Sequence, residues 1–237
     1  MVVLPSAYLP PVSWFASVVR GELVFIEQHE NYQKQTIRNR CTIDSPNGAL
    51  HLSIPVDRST FIGGKCPMKD VKISAHTDWR RQHWYAIETT YFNSPFFEYL
   101  QDDFRPFYER EWTFLIDFNE ALIYKCVELL DIQPKISRTE EYKGISAFSP
   151  TLTSLPSSPS FPSLSSLPPS SPCSPLSSSP LCSPLPPCSS LSPSSPPLPP
   201  VKPYYQVFQH KHGFIPDLSI IDLIFNMGNE SILALTN

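Results

Sequence analysis

KQTIRNRCTIDSPNGALHLSIPV, residues 34–56, holds the clearest strand–turn–strand pattern in the chain. Apolar residues alternate with polar residues on both sides of a turn at residues 44–48, which is the period of a half-buried strand. The Asn-Gly pair inside the turn favours the positive φ angles that tight hairpins need. The stretch therefore predicts a β-hairpin whose apolar side includes Cys41, Ile43, Leu50, Leu52, Ile54 and Val56.

A basic triplet, Arg38-Asn39-Arg40, runs into this hairpin. If the strand extends back to Arg38, strand alternation places both arginines on one face and Asn39 on the other. Guanidinium groups bind phosphate or carboxylate bidentately, so we predict that Arg38, Asn39 and Arg40 bind substrate. The alternative is that both arginines form salt bridges with carboxylates of the helices.

The first 26 residues predict a βαβ unit. An apolar strand at residues 2–4, a helix near residues 12–19 and a second strand at residues 23–26 follow one another. Such units place their functional loop at the carboxyl end of the strand, which brings Tyr8 near any site. Tyr8 is therefore a candidate catalytic residue, with simple packing of the loop as the alternative.

Residues 76–91 predict a helix with an inward-facing histidine. Apolar residues fall on the side of the helix that carries His83, so His83 points towards the core. An inward histidine is either a hydrogen-bonded core residue or, as we predict here, a general base. The residues of this face are Trp79, His83, Ala86, Ile87 and Thr90.

Three further helices are predicted. One opens at Ser94-Pro95 and carries an apolar stripe of Phe96, Leu100, Phe104 and Phe107, and the next begins near Asp117 with Glu120 as its capping-box partner. The last covers residues 219–227, with Ser219 as its cap and Asp222 as cap partner. Asp217 lies just outside that helix start. Both Asp217 and Asp222 are candidates to bind substrate.

The region 149–200 differs from the rest of the chain. It contains no Lys, Arg, Asp, Glu, His or Gly, and it holds 17 of the 28 prolines. Prolines at this density remove backbone donors and forbid helix and sheet. We predict a disordered, Ser/Pro-rich insertion at 149–200 within one globular α/β domain formed by residues 1–148 and 201–237.

Composition excludes several functional classes. The net charge of −4 argues against a general nucleic-acid binder. No window approaches the roughly 20 apolar residues of a membrane span, and Pro5, Pro10 and Pro11 interrupt the apolar start, so a cytoplasmic protein is predicted. The cysteines form no Cys-x-x-Cys pair, and His210 and His212 lack a third ligand nearby, so no metal and no cofactor are predicted.

The predicted fold class is α/β: a single mixed domain with a central sheet flanked by helices. The sheet is expected to contain strands that begin at Val2, Leu23, Arg40, Leu50 and Tyr205. Residues 135–142 are read as a charged strand or loop. Gly63-Gly64-Lys65 lacks the spacing of a phosphate-binding loop and is read as a surface turn.

Several short stretches together resemble the WbqC-like protein family. Members typically open with His-Gln-Pro-Asn-Tyr-Leu-Pro, where this chain has Leu4-Pro5-Ser6-Ala7-Tyr8-Leu9-Pro10 and so lacks the histidine and glutamine. The resemblance implies a bacterial protein associated with surface-polysaccharide (O-antigen) biosynthesis. It rests on Tyr8-Leu9-Pro10, Arg38-Asn39-Arg40, Pro46-Asn47-Gly48, residues 52–56, Trp79, His83, Tyr91, residues 94–97, Gly213-Phe214 and residues 218–223.

Two hypotheses about function follow. In the first, the protein is a transferase acting on an activated sugar or acyl donor, such as a nucleotide sugar, with His83 as general base and Tyr8 closing over the substrate. Asp217 or Asp222 would then orient His83 or bind a hydroxyl. In the second, the protein is a non-catalytic binding or scaffold protein of the same pathway, because no established catalytic motif is present.

Overall fold

The βαβ unit predicted from the first residues is present. A computed structural model describes residues 1–21, 23–145 and 202–236 of the chain. Strand β1 (Val2–Pro5), helix α1 (Val12–Arg20) and strand β2 (Leu23–Glu27) follow in order, and the two strands pair in parallel, with Val3 opposite Phe25. The loop between β1 and α1 therefore lies at the carboxyl end of β1.

The predicted hairpin is also confirmed. Strands β3 (Arg40–Ile43) and β4 (Leu50–Ser53) pair antiparallel, and Gly48 takes a φ of 101° in the turn between them. Leu52 and Ile54 are buried, whereas Leu50 is 37% exposed, so the apolar face of the hairpin is only partly covered. Strands β5 (Val56–Asp57) and β6 (Lys72–Ile73) form a second small antiparallel pair.

Helices cover the middle of the chain. Helices α2 (Trp79–Tyr91), α3 (Phe97–Glu109) and α4 (Leu115–Leu129) follow β6, and strand β7 (Lys135–Arg138) then pairs in parallel with β2. The predicted stripe of α3 is confirmed at Phe104, with Leu100 and Phe107 half-buried against the core, but it is wrong at Phe96. Phe97, Phe104 and Tyr108 are buried, and Phe96 is 38% exposed.

The final segment contributes three helices and a single 3-10 turn at Gly228–Glu230. The helices are α5 (Gln209–His212), α6 (Ile220–Met227) and α7 (Ser231–Leu235). Helix α6 is buried on nearly all sides, and α1, α3 and α4 pack around it. Among the described residues, no helix combines the length and the apolar character that crossing a membrane requires.

The α/β fold class is confirmed, but the predicted single five-stranded sheet is wrong. The described residues form a parallel sheet in the order β1-β2-β7 and two separate antiparallel pairs. The strand predicted at Tyr205 is absent because the Gln206 side chain takes the place of a neighbouring strand. Its amide accepts from the backbone N–H of Ile215 at 2.9 Å and donates to the Ile215 carbonyl at 2.7 Å. The insertion predicted at 149–200 lies outside the described residues.

Gly228 ends α6 with a φ of 55°, and a Cβ atom there would lie 2.7 Å from the Phe96 ring. Gly63 has nearly the same φ, 58°, with nothing within 4 Å of its Cβ position. We expect Gly228→Ala to lower the free energy of unfolding by about 1–2 kcal/mol more than Gly63→Ala, because the ring must move. Chemical denaturation of both variants measures this difference.

The Phe96→Ala background provides the control for that comparison. Removing the ring should leave Gly228→Ala with only the backbone cost of a positive φ, so the two glycine variants should then match. If the difference between them persists without the ring, contact with Phe96 is not its cause.

Candidate functional site

The loop between β1 and α1 is held in place by bonds to two distant parts of the chain. The backbone N–H of Tyr8 donates to the Ile37 carbonyl at 2.8 Å. The buried side chain of Asn119, on α4, donates to Ser6 Oγ at 3.1 Å and to the Arg38 carbonyl at 2.8 Å. The structure therefore brings Tyr8 beside the Arg38-Asn39-Arg40 triplet, although 30 residues separate them.

Tyr8, His83 and Tyr108 form a buried chain of hydrogen bonds. Tyr8 Oη lies 3.0 Å from His83 Nδ1 and 2.9 Å from Tyr108 Oη. Tyr8 is fully buried, and His83 and Tyr108 are each 5% exposed. The rings of Tyr8 and His83 stack with their centroids 5.7 Å apart. The inward orientation predicted for His83 is confirmed, and its partner is Tyr8 rather than a carboxylate.

The direction of the hydrogen bonds follows from the surroundings of His83. Burial lowers the pKa of His83 to about 4, so the ring is neutral at neutral pH. His83 also bonds to the backbone of Ser53, which assigns its proton to Nε2 and leaves Nδ1 to accept from the Tyr8 hydroxyl. Tyr8 Oη can then accept from Tyr108. Burial raises the pKa of both tyrosines, so both hydroxyls stay protonated.

The Arg38 side chain forms a buried salt bridge with Glu30. Its Nε donates to Glu30 Oε1 at 2.8 Å and its Nη2 to Glu30 Oε2 at 2.5 Å, in the bidentate geometry typical of Arg–carboxylate pairs. Both side chains are 6% exposed. The third nitrogen, Nη1, donates to Thr36 Oγ1 at 3.2 Å. A salt bridge was the alternative for Arg38, and its partner lies in the loop after β2 rather than in a helix.

The other two residues of the triplet contact β4 and its continuation. Residues 36–39 form a turn and β3 begins at Arg40, so the strand does not extend back to Arg38 as a shared arginine face requires. Asn39 is buried and donates from Nδ2 to the Ile54 carbonyl at 3.0 Å. Arg40 is half-buried and donates from Nε to Ser53 Oγ at 3.0 Å. Ser53 therefore contacts both Arg40 and His83.

Asp217 and Asp222 belong to a different part of the molecule. Asp217 accepts from the backbone N–H of Ser13 at 2.8 Å and from Ser13 Oγ at 2.9 Å, so it caps the start of α1. Asp222 does not act as the predicted cap partner of Ser219, because the Ser219 hydroxyl donates to the Leu9 carbonyl at 2.8 Å instead. Neither aspartate bonds to His83 among the described contacts.

The Asp222 carboxylate is buried and faces aromatic and polar groups. Tyr204 Oη donates to Asp222 Oδ2 at 2.7 Å, and Asn226 Nδ2 lies 3.3 Å from Oδ1. Burial raises the pKa of Asp222 to about 7, and the nearby Asp44 carboxylate acts in the same direction. Asp44 follows the end of β3, whereas Arg40 begins that strand. Asp222 and the triplet are therefore at opposite ends of β3.

A cleft between α2 and α3 opens above Tyr108. It has a volume of about 350 Å³, and its lining includes Arg80, Arg81 and Arg105 together with Trp84 and Tyr108. Trp84 packs on Tyr108 with ring centroids 5.8 Å apart. Tyr108, the last member of the buried hydrogen-bonded chain, is thus also one of the residues that line a cleft with three guanidinium groups.

Sequence reasoning missed four groups that build this region. Glu30 lies in an irregular loop, and no local pattern marks it as the partner of Arg38. Asn119 falls on the buried face of α4 without a distinguishing motif. Tyr108 follows Phe104 by four residues, so helical spacing could have placed it on the core side. Three arginines of α2 and α3 could have been grouped only if the packing of the two helices were known.

No metal site is apparent in the described ranges, which contain no group of three or more His, Cys, Asp or Glu side chains able to hold an ion. Cys41, Cys66 and Cys126 are buried free thiols. Burial raises the pKa of the Cys41 and Cys126 thiols well above the ordinary value, so neither has the thiolate character of a nucleophile.

A sequence model of the WbqC-like protein family matches residues 6–152, which is more than half of the chain. The chain belongs to the WbqC-like protein family. The matched range of this WbqC-like protein contains Tyr8, the arginine triplet, His83 and Tyr108, whereas Asp217 and Asp222 lie beyond it.

One curated relative of this WbqC-like protein is "Uncharacterized protein Rv1507c" from Mycobacterium tuberculosis (strain ATCC 25618 / H37Rv). The two sequences are 25% identical over 153 residues, which is 60% of this chain and 61% of the relative. The chain therefore spans about three fifths of the length of the relative that it matches. No solved structure gives a significant match.

Proposed function

We propose that this WbqC-like protein is a transferase that acts on an activated sugar or acyl donor. The observation that carries the proposal is the buried chain Tyr108–Tyr8–His83, which joins a neutral histidine to Tyr108, a residue that also lines the cleft with the three arginines. A neutral imidazole is the form that accepts a proton, and a substrate in the cleft can reach it through two hydroxyl groups.

The reaction would proceed as a displacement on the donor. The acceptor hydroxyl lies against Tyr108 and forms a bond to the anomeric or acyl carbon of the donor. The leaving group departs with the electron pair of the bond that breaks. The acceptor proton passes to Tyr108 as Tyr108 donates to Tyr8 and Tyr8 donates to His83 Nδ1, so His83 ends as the imidazolium.

The triplet is assigned two roles in this proposal. Arg40 does not line the cleft, but it keeps guanidinium nitrogens beyond its bond to Ser53, so we assign it to an anionic group of the substrate that lies outside the cleft. Arg38 and Asn39 hold the segment in place through Glu30 and the Ile54 carbonyl. The bonds of Asp217 and Asp222 support α1 and Tyr204, and substrate contact by either residue would require those bonds to open.

The biological role we propose is the synthesis of bacterial surface polysaccharide (O-antigen) in the cytoplasm, as the WbqC-like resemblance suggests. A second candidate is a non-catalytic binding or scaffold protein of the same pathway. The observation that favours it is burial, since Tyr8 has no exposed surface and His83 is 5% exposed. A buried pair of this kind also serves to hold a core together.

A thermal-shift and turnover screen separates the two candidates. The protein is tested against nucleotide sugars, acyl-CoA and aminoacyl donors, with an added acceptor. We expect one donor class to stabilise the fold and to be consumed. Stabilisation without consumption would support the binding protein and contradict the transferase.

His83→Gln tests the role of the histidine. With the donor found by the screen, we expect turnover to fall at least about a hundredfold, because the proton acceptor is lost, while the Kd of the donor stays within about twofold. His76→Gln, an exposed histidine before α2, is the matched control and should keep full turnover. Wild-type turnover in His83→Gln would remove His83 from the mechanism.

A further inference from the structure

Two clefts adjoin on the outer face of α2. The first is the arginine-lined cleft above Tyr108, and the second, of about 450 Å³, is lined by Gln82, Tyr85 and Glu88. Both clefts also share Arg81 and Trp84 in their linings. We call the two together the α2 groove. It joins a charged end to an aromatic end on one surface.

The charged end of the α2 groove favours an anion. Three arginines line the first cleft together with two acidic residues, Asp78 and Glu109, and a third carboxylate, that of Glu111, pairs with Arg80. Arg105 pairs with Glu109 at 2.8 Å, but both side chains are more than half exposed, so a stronger anionic ligand can replace that pair at little cost. The Arg81 side chain has no hydrogen-bond or ion-pair partner among the described residues. A phosphate group could therefore bind Arg81 and Arg105 together.

Arg80 adds a third cation, which is held by two long contacts, one of them from its Nη1 to the Glu109 carbonyl oxygen at 3.4 Å. Its Nη2 lies 3.2 Å from Glu111 Oε1, and the Glu111 side chain is 90% exposed. Long contacts with solvated carboxylates leave guanidinium donors available to a ligand that is better placed.

The aromatic end of the α2 groove has the surface that a sugar ring requires. Tyr85 is 68% exposed, and Trp84, a half-buried residue whose ring packs on Phe97 and Tyr108, lines the same cleft. The apolar face of a pyranose ring packs on such rings, while planar polar side chains at the edge bond its hydroxyl groups. Gln82 and Glu88 provide those side chains in the second cleft.

We infer that the α2 groove binds a sugar carrying a phosphate or diphosphate. The phosphate lies between Arg81 and Arg105, and the sugar ring lies on Trp84 and Tyr85. This inference rests on the proposed function and deepens it, because it selects the sugar donor over the acyl donor. It also places the bond between sugar and phosphate close to Tyr108, at the outer end of the proton-accepting chain.

Isothermal titration calorimetry of the full chain tests the inference. The probes are UDP-glucose, UDP-N-acetylglucosamine, dTDP-glucose, glucose 1-phosphate and inorganic phosphate. For the sugar phosphates that bind, we expect the double variant Arg81→Gln/Arg105→Gln to raise Kd at least about tenfold, since two charge-assisted bonds are lost. Arg58→Gln, an exposed arginine outside the groove, should leave Kd unchanged.

A second variant tests the aromatic end. Tyr85→Ala should raise the Kd of glucose 1-phosphate roughly fivefold, which is the value expected for one lost ring contact. It should leave inorganic phosphate binding unchanged. Tyr99→Ala is the matched control, because Tyr99 is 77% exposed on α3 and does not line either cleft.

The outcomes separate this inference from the proposed function. Saturable binding of a sugar phosphate that both groove variants weaken supports the inference, even if no donor is ever consumed. Consumption of an acyl donor without sugar-phosphate binding supports the transferase and overturns the inference. Binding of inorganic phosphate alone, or sugar-phosphate binding that the groove variants leave intact, also overturns it.

Discussion

Replacing Glu30 with glutamine is expected to lower the free energy of unfolding by about 3–5 kcal/mol, because it leaves the Arg38 guanidinium buried without a counter-charge. Both side chains of this pair are 6% exposed, so solvent replaces little of the lost carboxylate. In a chain of this length the melting temperature should fall by roughly 10 °C. Calorimetry and chemical denaturation measure the two quantities.

Two variants show whether the buried, unpaired charge of Arg38 causes the loss of stability in Glu30→Gln. Glu128→Gln removes the carboxylate of the Lys125 pair, which is 70% exposed, and should cost less than about 1 kcal/mol. Glu30→Met combined with Arg38→Met removes both charges and should recover most of the stability lost in Glu30→Gln. A double variant as unstable as the single one would mean that packing, not charge, explains the loss.

Asp222→Asn is expected to change how stability depends on pH. The pKa of Asp222 is about 7 in the folded protein and near 3.8 as a free carboxyl group. Between these values the folded state holds a proton that the unfolded state has released, so the stability of the wild type falls as pH rises from about 4 to about 7. The asparagine variant lacks this loss.

The expected size of this effect follows from the pKa difference. Between pH 4 and pH 8, the unfolding free energy of the variant should increase by on the order of 4 kcal/mol relative to that of the wild type. Denaturation curves at several pH values provide the measurement. Asp102→Asn, an exposed aspartate of α3, should keep a constant difference from the wild type. If the difference between Asp222→Asn and the wild type is also constant with pH, the Asp222 carboxyl group of the wild type titrates like a free one.

The sequence predicts most of the local structure of this protein. Periodicity places the hairpin, the βαβ unit, the main helices and the inward face that carries His83, because each depends on neighbours within a few residues. The parallel pairing of β7 with β2 involves residues more than 100 positions apart, and no local pattern encodes it. The missing strand at Tyr205 has a different origin, since the Gln206 side chain bonds to the backbone of Ile215, nine residues later, and strand periodicity gives no sign of such a side-chain contact.

The sequence predicted individual residues of the candidate site better than it predicted the contacts between them. Tyr8 and His83 were both chosen from their places in a loop and on a helix face, and the structure joins them at 3.0 Å. Glu30, the salt-bridge partner of Arg38, could not be predicted, because loop residues show no hydrophobic periodicity. Asp222 was assigned to a helix cap from its spacing alone, whereas its hydrogen-bond partner in the structure is Tyr204, 18 residues earlier in the chain.

The capping of α1 by Asp217 has a consequence for the order of folding. The start of α1 also receives contacts from residues 218–220, which bond to Thr42 and Pro10 as well. These partners are about 200 residues apart in the chain, and all of residues 146–201 are synthesised between them. The βαβ unit therefore emerges from the ribosome long before Asp217, the residue that caps α1, is synthesised. Contacts between residues so far apart in the chain are expected to slow the final step of folding.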